Sequence, residues 1–314
     1  MLAMNLEIYD LGNDREIRVL PTYHRLKLAP ALQAFADQRW EERRSDWVSS
    51  WIPNLERMVV SRKRVILDLG ITDYTQQIGM VEAVQEEQPF APDKINGLAV
   101  GTFMVTSDQR IVLPRRSANV MHAPLRYNMF CGWMSTLNLV ERARCADAEL
   151  IREPWLYSPL FQAKRVFEKE SMLRPDEYEI HGPAILTRAA PHSLNLELEF
   201  VGGVGYTAAE LIERMQGVVE FAPGRKEADL AAAVPLEDLA VLLENQAALR
   251  EQDPQTHVPK DHRDIILLDR TIAGLLHLYT PLTAQRRPAQ IVEALKQGGI
   301  TVVEQDLTEG TYTL

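Results

Sequence analysis

The amino-acid sequence predicts an α/β fold, and three stretches in its central part carry this prediction. Residues 97–106 and 111–113 are apolar runs on either side of a short polar turn, which indicates a β-hairpin. Residues 161–173 have the composition of a charged helix. Residues 194–201 alternate apolar and polar side chains, as a half-buried strand does. Strands and helices mixed in this way pack as layers around a common sheet.

The first 94 residues are predicted to form a smaller α+β module. Short strands are expected at residues 6–10 and 16–20, a helix at residues 30–44, and a pair of strands around residues 61–63. Residues 82–94 contain adjacent glutamates and two prolines, and this change in composition marks the predicted domain boundary.

Two features of this module have alternative interpretations. Trp40, Trp47 and Trp51 lie within twelve positions, and we expect a hydrophobic cluster, with a stacking platform for a ring as the alternative. Asp68 and Asp73 lie in a predicted loop, where turn formation is the expected role and an acidic site is the alternative.

The last third of the chain is predicted to be structural. The glycine-rich residues 202–205 are expected to form a turn, with Thr207 as the N-cap of the next helix. Residues 281–314 are expected to pack on a domain formed by residues 95–280. The other elements expected in this part are helices at residues 208–216, 264–279 and 288–296 and strands at residues 217–221 and 299–303.

The order of these elements resembles the Nudix hydrolase fold. The hairpin ends in Arg115 and Arg116, a charged helix and a returning strand follow, and residues 234–243 are similar to the step with which that family enters its last helix. The resemblance implies an α/β/α sandwich with a mixed sheet. It also implies that Arg115 and Arg116 contact the phosphates of a substrate, for which the planar arginine fork is suited. Arg126, in the segment that follows, is a further candidate for substrate binding.

The family's metal-binding helix is the part of the resemblance in which this sequence differs. That helix carries three glutamates on one face, which hold Mg²⁺ or Mn²⁺ against the substrate diphosphate. The best alignment is anchored on Arg165 and places Val166, Lys169 and Glu170 at the glutamate positions. Met172 then occupies the position of the final glycine. Gly132 is aligned with the first glycine, which requires an insertion before the helix.

Two hypotheses follow from this alignment. In the first, the protein hydrolyses a diphosphate linkage in a nucleotide-like or phosphorylated small molecule, with Glu170 as the ligand of Mg²⁺ or Mn²⁺. Lys169 would then act as a fixed positive charge on a phosphate. In the second, the domain is catalytically inactive and binds a phosphorylated ligand or a protein partner.

Glu197 and Glu199 are a second pair of carboxylates, on one face of the strand at residues 194–201. In the family this strand borders the substrate pocket, which makes Glu199 a candidate for substrate binding. The alternative, and the expected outcome, is that both glutamates lie on a solvated face of the strand.

Composition restricts the function further. The chain has 314 residues, a formal net charge of -10 and a pI of about 5.3, which argue against binding to nucleic acid. No run of 18 apolar residues occurs, so no membrane span is expected. Cys131 and Cys145 fit no metal-binding spacing, and we expect a cytoplasmic protein without a signal peptide. The expected assembly states include a homodimer.

Overall fold

A computed structural model describes residues 4–12, 15–43, 51–92, 95–118, 124–133, 159–181, 185–190, 193–216 and 228–313. The strands in these ranges are β1 (Met4–Asp10), β2 (Glu16–Arg25), β3 (Trp51–Val60), β4 (Arg64–Asp73), β5 (Leu98–Val105), β6 (Arg110–Arg116), β7 (Phe130–Trp133), β8 (Tyr178–Ile180), β9 (Ile185–Ala190), β10 (Ser193–Val204), β11 (Ala228–Pro235), β12 (Ile300–Asp306) and β13 (Gly310–Tyr312). The α-helices are α1 (Pro30–Arg43), α2 (Tyr74–Gln85), α3 (Pro159–Ser171), α4 (Ala208–Gln216), α5 (Leu239–Leu249), α6 (Asp269–Thr283) and α7 (Ala289–Gln297).

A mixed sheet of nine strands forms the centre of the fold. Seven strands follow the order β11-β6-β5-β10-β9-β1-β12, while β7 pairs with β5 and β8 pairs with β10. The β5/β10 and β1/β12 pairs are parallel, and the other pairs of this sheet are antiparallel. Because both faces of β5 are covered, its residues are almost all buried, and its sequence is a continuous apolar run.

Helices cover both faces of this sheet. One apolar core lies between the sheet and α3 and α4, and its members on the sheet include Val100, Leu198 and Phe200. A second core lies on the opposite face, between the sheet and α5, α6 and α7, and includes Phe103 and Leu275. The predicted α/β/α sandwich with a mixed sheet is therefore confirmed.

A smaller sheet of four strands, in the order β13-β3-β4-β2, packs on the same face as α3 and α4. Together with α1 and α2 it forms a smaller α+β unit, which was predicted from residues 1–94 alone. Two strands cross the boundaries that the sequence suggested. β1 lies in the larger sheet, where Met4 pairs with Ile300, and β13 near the C-terminus pairs with β3.

The expected loop at residues 68–74 is wrong, because Asp68 and Asp73 lie in β4. Asp68 is buried and forms an ion pair with Arg57 at 2.5 Å. The Asp73 carboxylate accepts a hydrogen bond from the Gln76 backbone N–H and caps α2. Each aspartate thus has a structural partner.

Of the three N-terminal tryptophans, Trp40 packs edge to face against Tyr74, with ring centroids 6.4 Å apart. Trp47 and residues 217–221 lie outside the described residues. In the ranges that the structure describes, no helix is long and apolar enough to cross a lipid bilayer.

Candidate functional site

Toward the end of β6, the segment that precedes β7 replaces β5 as the pairing partner of β6. Within the described residues, β5 and β6 pair only at Val105 and Ile111, after which β7 takes the place beside β5. The residues before β7 remain attached to β6, since the Arg116 backbone N–H donates to the Arg126 carbonyl at 2.9 Å. Arg115, Arg116 and Arg126 therefore come from two adjacent backbone segments. We call these three residues the arginine site.

Helix α3 packs directly on β7 at Gly132. A Cβ atom at Gly132 would lie only 3.1 Å from Val166 Cγ2, so the absence of a side chain allows strand and helix to approach. Met172, aligned with the final glycine, has φ +59, in the left-handed region that favours glycine.

Charged groups from both helical layers act on the thiol of Cys131. Burial raises the pKa of Cys131 to about 12, Glu197 and Glu170 raise it, and Arg270 and Arg116 lower it. Glu170 of α3 and Arg116 of β6 thus act on the Cys131 thiol with opposite sign.

Glu197 and Glu199 are both fully buried, so the expectation of a solvated face is wrong. The face of β10 that carries them is covered by α6. Arg270 of α6 places its Nε atom 2.7 Å from Glu197 Oε2, and the Thr187 hydroxyl donates to Glu199 Oε1 at 2.5 Å. Gly274 makes room for Glu199, because a Cβ atom there would overlap Glu199 Oε2. Neither glutamate is exposed to a ligand in solution.

Arg126 and Lys169, two further predicted site residues, are both partly buried. The Arg126 side chain is 20% exposed, and its Nη1 atom is 3.5 Å from Asp269 Oδ1 at the start of α6. Lys169 is half-buried in the last turn of α3, where a positive charge is favourable at a helix C-terminus. This position gives Lys169 a structural role, and its predicted catalytic role stays a prediction.

Sequence reasoning missed the polar residues that connect β7 to α6. The Asn128 side chain donates to Cys131 Sγ at 2.6 Å and accepts from the Thr271 hydroxyl at 2.6 Å. Asp269 and Arg270 stand in a stretch that was interpreted only as an apolar helix. A charged pair inside such a stretch is itself a signal, since buried charges require partners.

The buried Glu199 should make stability depend on pH. Burial raises the pKa of Glu199 well above its usual value, and Glu197 raises it further, while Thr187 and Arg270 lower it. The protonated form is favoured in the folded state, so its contribution is complete below the unfolded pKa and is lost as pH rises toward the folded pKa.

We therefore expect Glu199→Gln, which stays neutral, to gain stability relative to the wild type as pH rises from about 5 to about 8. Urea unfolding at both ends of this range measures the difference. Glu179→Gln, on an exposed position of β8, is the control and should show no such trend. An equal difference between wild type and Glu199→Gln at every pH would contradict the argument.

The side chains at the metal positions do not fit the ion that the family implies. Val166 supplies no oxygen and packs on Gly132, Lys169 is a cation, and Glu170 is the single carboxylate at these positions. Among the described residues, no three His, Cys, Asp or Glu side chains are grouped so as to hold a metal ion.

No protein-family description matches the chain, and no curated protein is similar to it. A solved structure, a Nudix hydrolase from M. smegmatis named RenU, is similar over 60% of this chain and 86% of its own length, with 10% identity and a TM-score of 0.34. Similarity at this level establishes neither a family nor an activity. The fold is an α/β/α sandwich with a mixed sheet, in which Arg115 and Arg116 at the end of β6 lie beside the backbone segment of Arg126.

Proposed function

We propose that this protein binds a phosphorylated, nucleotide-like small molecule at the arginine site. The observation that carries the proposal is the backbone hydrogen bond between Arg116 and Arg126, which places these two arginines side by side on adjacent segments at the end of β6. The protein as a whole has a net charge of -10, so a local group of arginines is a distinct region of its electrostatic field. Guanidinium groups bind phosphate oxygens in pairs, and a diphosphate offers several.

We propose binding without metal-dependent hydrolysis, the second of the two hypotheses. Hydrolysis in the Nudix manner relies on several carboxylates around a divalent cation, and here Val166 and Lys169 stand where two of them belong. The carboxylates of Glu197 and Glu199 do not replace them, because both are fully buried. Glu170 remains the one residue through which the hydrolase hypothesis can be tested.

Replacing Arg116 tests the proposal. We expect Arg116→Gln to weaken the binding of inorganic pyrophosphate by about 10-fold, since a charge-assisted contact to phosphate is lost. Isothermal titration calorimetry in a buffer without divalent cations measures the dissociation constant. The control is Arg174→Gln, because Arg174 is 74% exposed and lies after α3, and it should bind like the wild type. Equal binding by Arg116→Gln and Arg174→Gln would count against the site.

A further inference from the structure

Asp269 is a buried carboxylate directly behind the arginine site. It is the first residue of α6 and only 3% exposed, and its Oδ1 atom is 3.5 Å from Nη1 of Arg126. A carboxylate in the first turn of a helix is stabilised by the positive end of the helix dipole. Asp269 is therefore a fixed negative charge at the base of a partly exposed arginine.

Backbone hydrogen bonds fix the positions of Arg126 and Asp269 relative to each other. The Tyr127 N–H donates to the Ile266 carbonyl at 2.8 Å, and the Leu268 N–H donates to the Tyr127 carbonyl at 2.8 Å. These two hydrogen bonds form a parallel bridge between Tyr127 and Leu267. Arg126 lies immediately before this bridge and Asp269 shortly after it. Their contact is therefore set by the pairing of the two segments and not by the side chains alone.

The contact with Asp269 engages one nitrogen atom of the Arg126 guanidinium. Within the described residues, the ion pair with Asp269 is formed through one Nη atom of Arg126, at a distance longer than that of a charge-assisted hydrogen bond. A guanidinium has five N–H donors, so the other donors remain for a ligand. A long side chain that is already oriented also loses less rotamer freedom when it binds.

We infer that Asp269 is a positioning residue of the arginine site, which orients the Arg126 guanidinium toward a bound phosphate. This inference rests on the proposed function. The negative charge of Asp269 also opposes an anion, but it is buried behind Arg126 and the ligand meets the guanidinium first. Orientation of Arg126 is the larger effect, and loss of the carboxylate weakens binding.

A double-mutant cycle tests this role in the full-length protein, with inorganic pyrophosphate as the probe. Asp269→Asn should raise the dissociation constant by about 10-fold in the wild-type background. In the Arg126→Gln background the same substitution should change it by less than about 2-fold, because the group that Asp269 orients is gone. A merely structural role would weaken binding equally in both backgrounds.

The outcomes separate the two proposals. If Arg126→Gln weakens binding but Asp269→Asn binds as tightly as the wild type or tighter, the positioning role is wrong and the arginine site stands. If Arg126→Gln itself binds pyrophosphate normally, Arg126 does not contact the ligand and both the positioning role and this part of the site are overturned. Thermal unfolding of each variant checks that it folds. If Asp269→Asn does not, Asp269→Ser replaces it in the cycle, since serine also suits the start of a helix.

Discussion

Replacing Arg270 with alanine is expected to destabilise the fold by about 3–5 kcal/mol. Arg270 and Glu197 join α6 to β10 through an ion pair of 2.7 Å between Nε and Oε2, and Glu197 is fully buried. Two charges buried together offset each other's loss of hydration, whereas one charge left alone does not. Burial raises the pKa of Glu197 and Arg270 lowers it, so the variant would retain a carboxyl group that resists ionisation.

Urea unfolding near neutral pH measures this effect, and two further variants test its cause. Arg174→Ala removes an exposed arginine that pairs with Glu177, and it should cost about 1 kcal/mol or less. A double variant in which both buried partners are replaced, Arg270→Met with Glu197→Leu, should recover most of the lost stability. If Arg270→Ala is as mild as Arg174→Ala, the ion pair does not hold α6 on the sheet.

Replacing Gly274 with alanine is the second substitution with a large expected effect, about 2–3 kcal/mol of lost stability. A Cβ atom at this position of α6 would overlap Glu199 Oε2 and lie 2.7 Å from the ring of Phe103. Alanine is intrinsically better than glycine in a helix by about 1 kcal/mol, so steric overlap must exceed that gain. Because α6 lies so close to β10, we expect the replacement of Gly274 by alanine to lower the free energy of unfolding.

Gly203 in β10 provides the matched control for this test. A Cβ atom there would have its nearest neighbour at 3.9 Å, which is ordinary van der Waals contact. Gly203→Ala should therefore leave the midpoint of urea unfolding nearly unchanged, while Gly274→Ala shifts it to lower urea. A Gly274→Ala variant as stable as the wild type would mean that α6 lies farther from Glu199 than the structure has it.

Local patterns in the sequence predicted the elements around the site well. The helix expected at residues 208–216 is α4 with the same bounds, and Thr207 caps it as expected. The Thr207 hydroxyl accepts from the Glu210 N–H, and the Glu210 carboxylate accepts from the Thr207 N–H at 2.8 Å. The sequence predicts this helix cap because the interacting residues are only three positions apart.

The sequence does not predict which strands pair when they are far apart along the chain. β1 was expected in the N-terminal module, but its partners are β9 and β12, and Met4 pairs with Ile300 near the other end of the chain. No local pattern distinguishes a strand of the smaller sheet from a strand of the larger one. Sheet membership is decided by which apolar face each strand buries.

The burial of Glu197 and Glu199 also depends on a part of the chain that is distant in sequence. Alternation of apolar and charged residues in β10 indicates that the strand has two different faces. It does not show whether the charged face lies against water or against a helix. Here the cover is α6, which supplies Arg270 from more than 70 positions farther along the chain. The arginines at the end of β6 were predictable from their position after a hairpin. Asp269, which contacts Arg126, was not.

The most direct test of the account is a titration of the wild-type protein with inorganic pyrophosphate in the presence of a chelator such as EDTA. Phosphate release is measured in parallel from a nucleoside diphosphate panel supplied with Mg²⁺ or Mn²⁺. We predict that pyrophosphate binds with divalent cations removed, and that no phosphate is released above the protein-free background. Loss of pyrophosphate binding in the presence of the chelator would contradict the proposed function. Metal-dependent release of phosphate that Glu170→Gln abolishes would also contradict it. Either result would favour the hydrolase hypothesis.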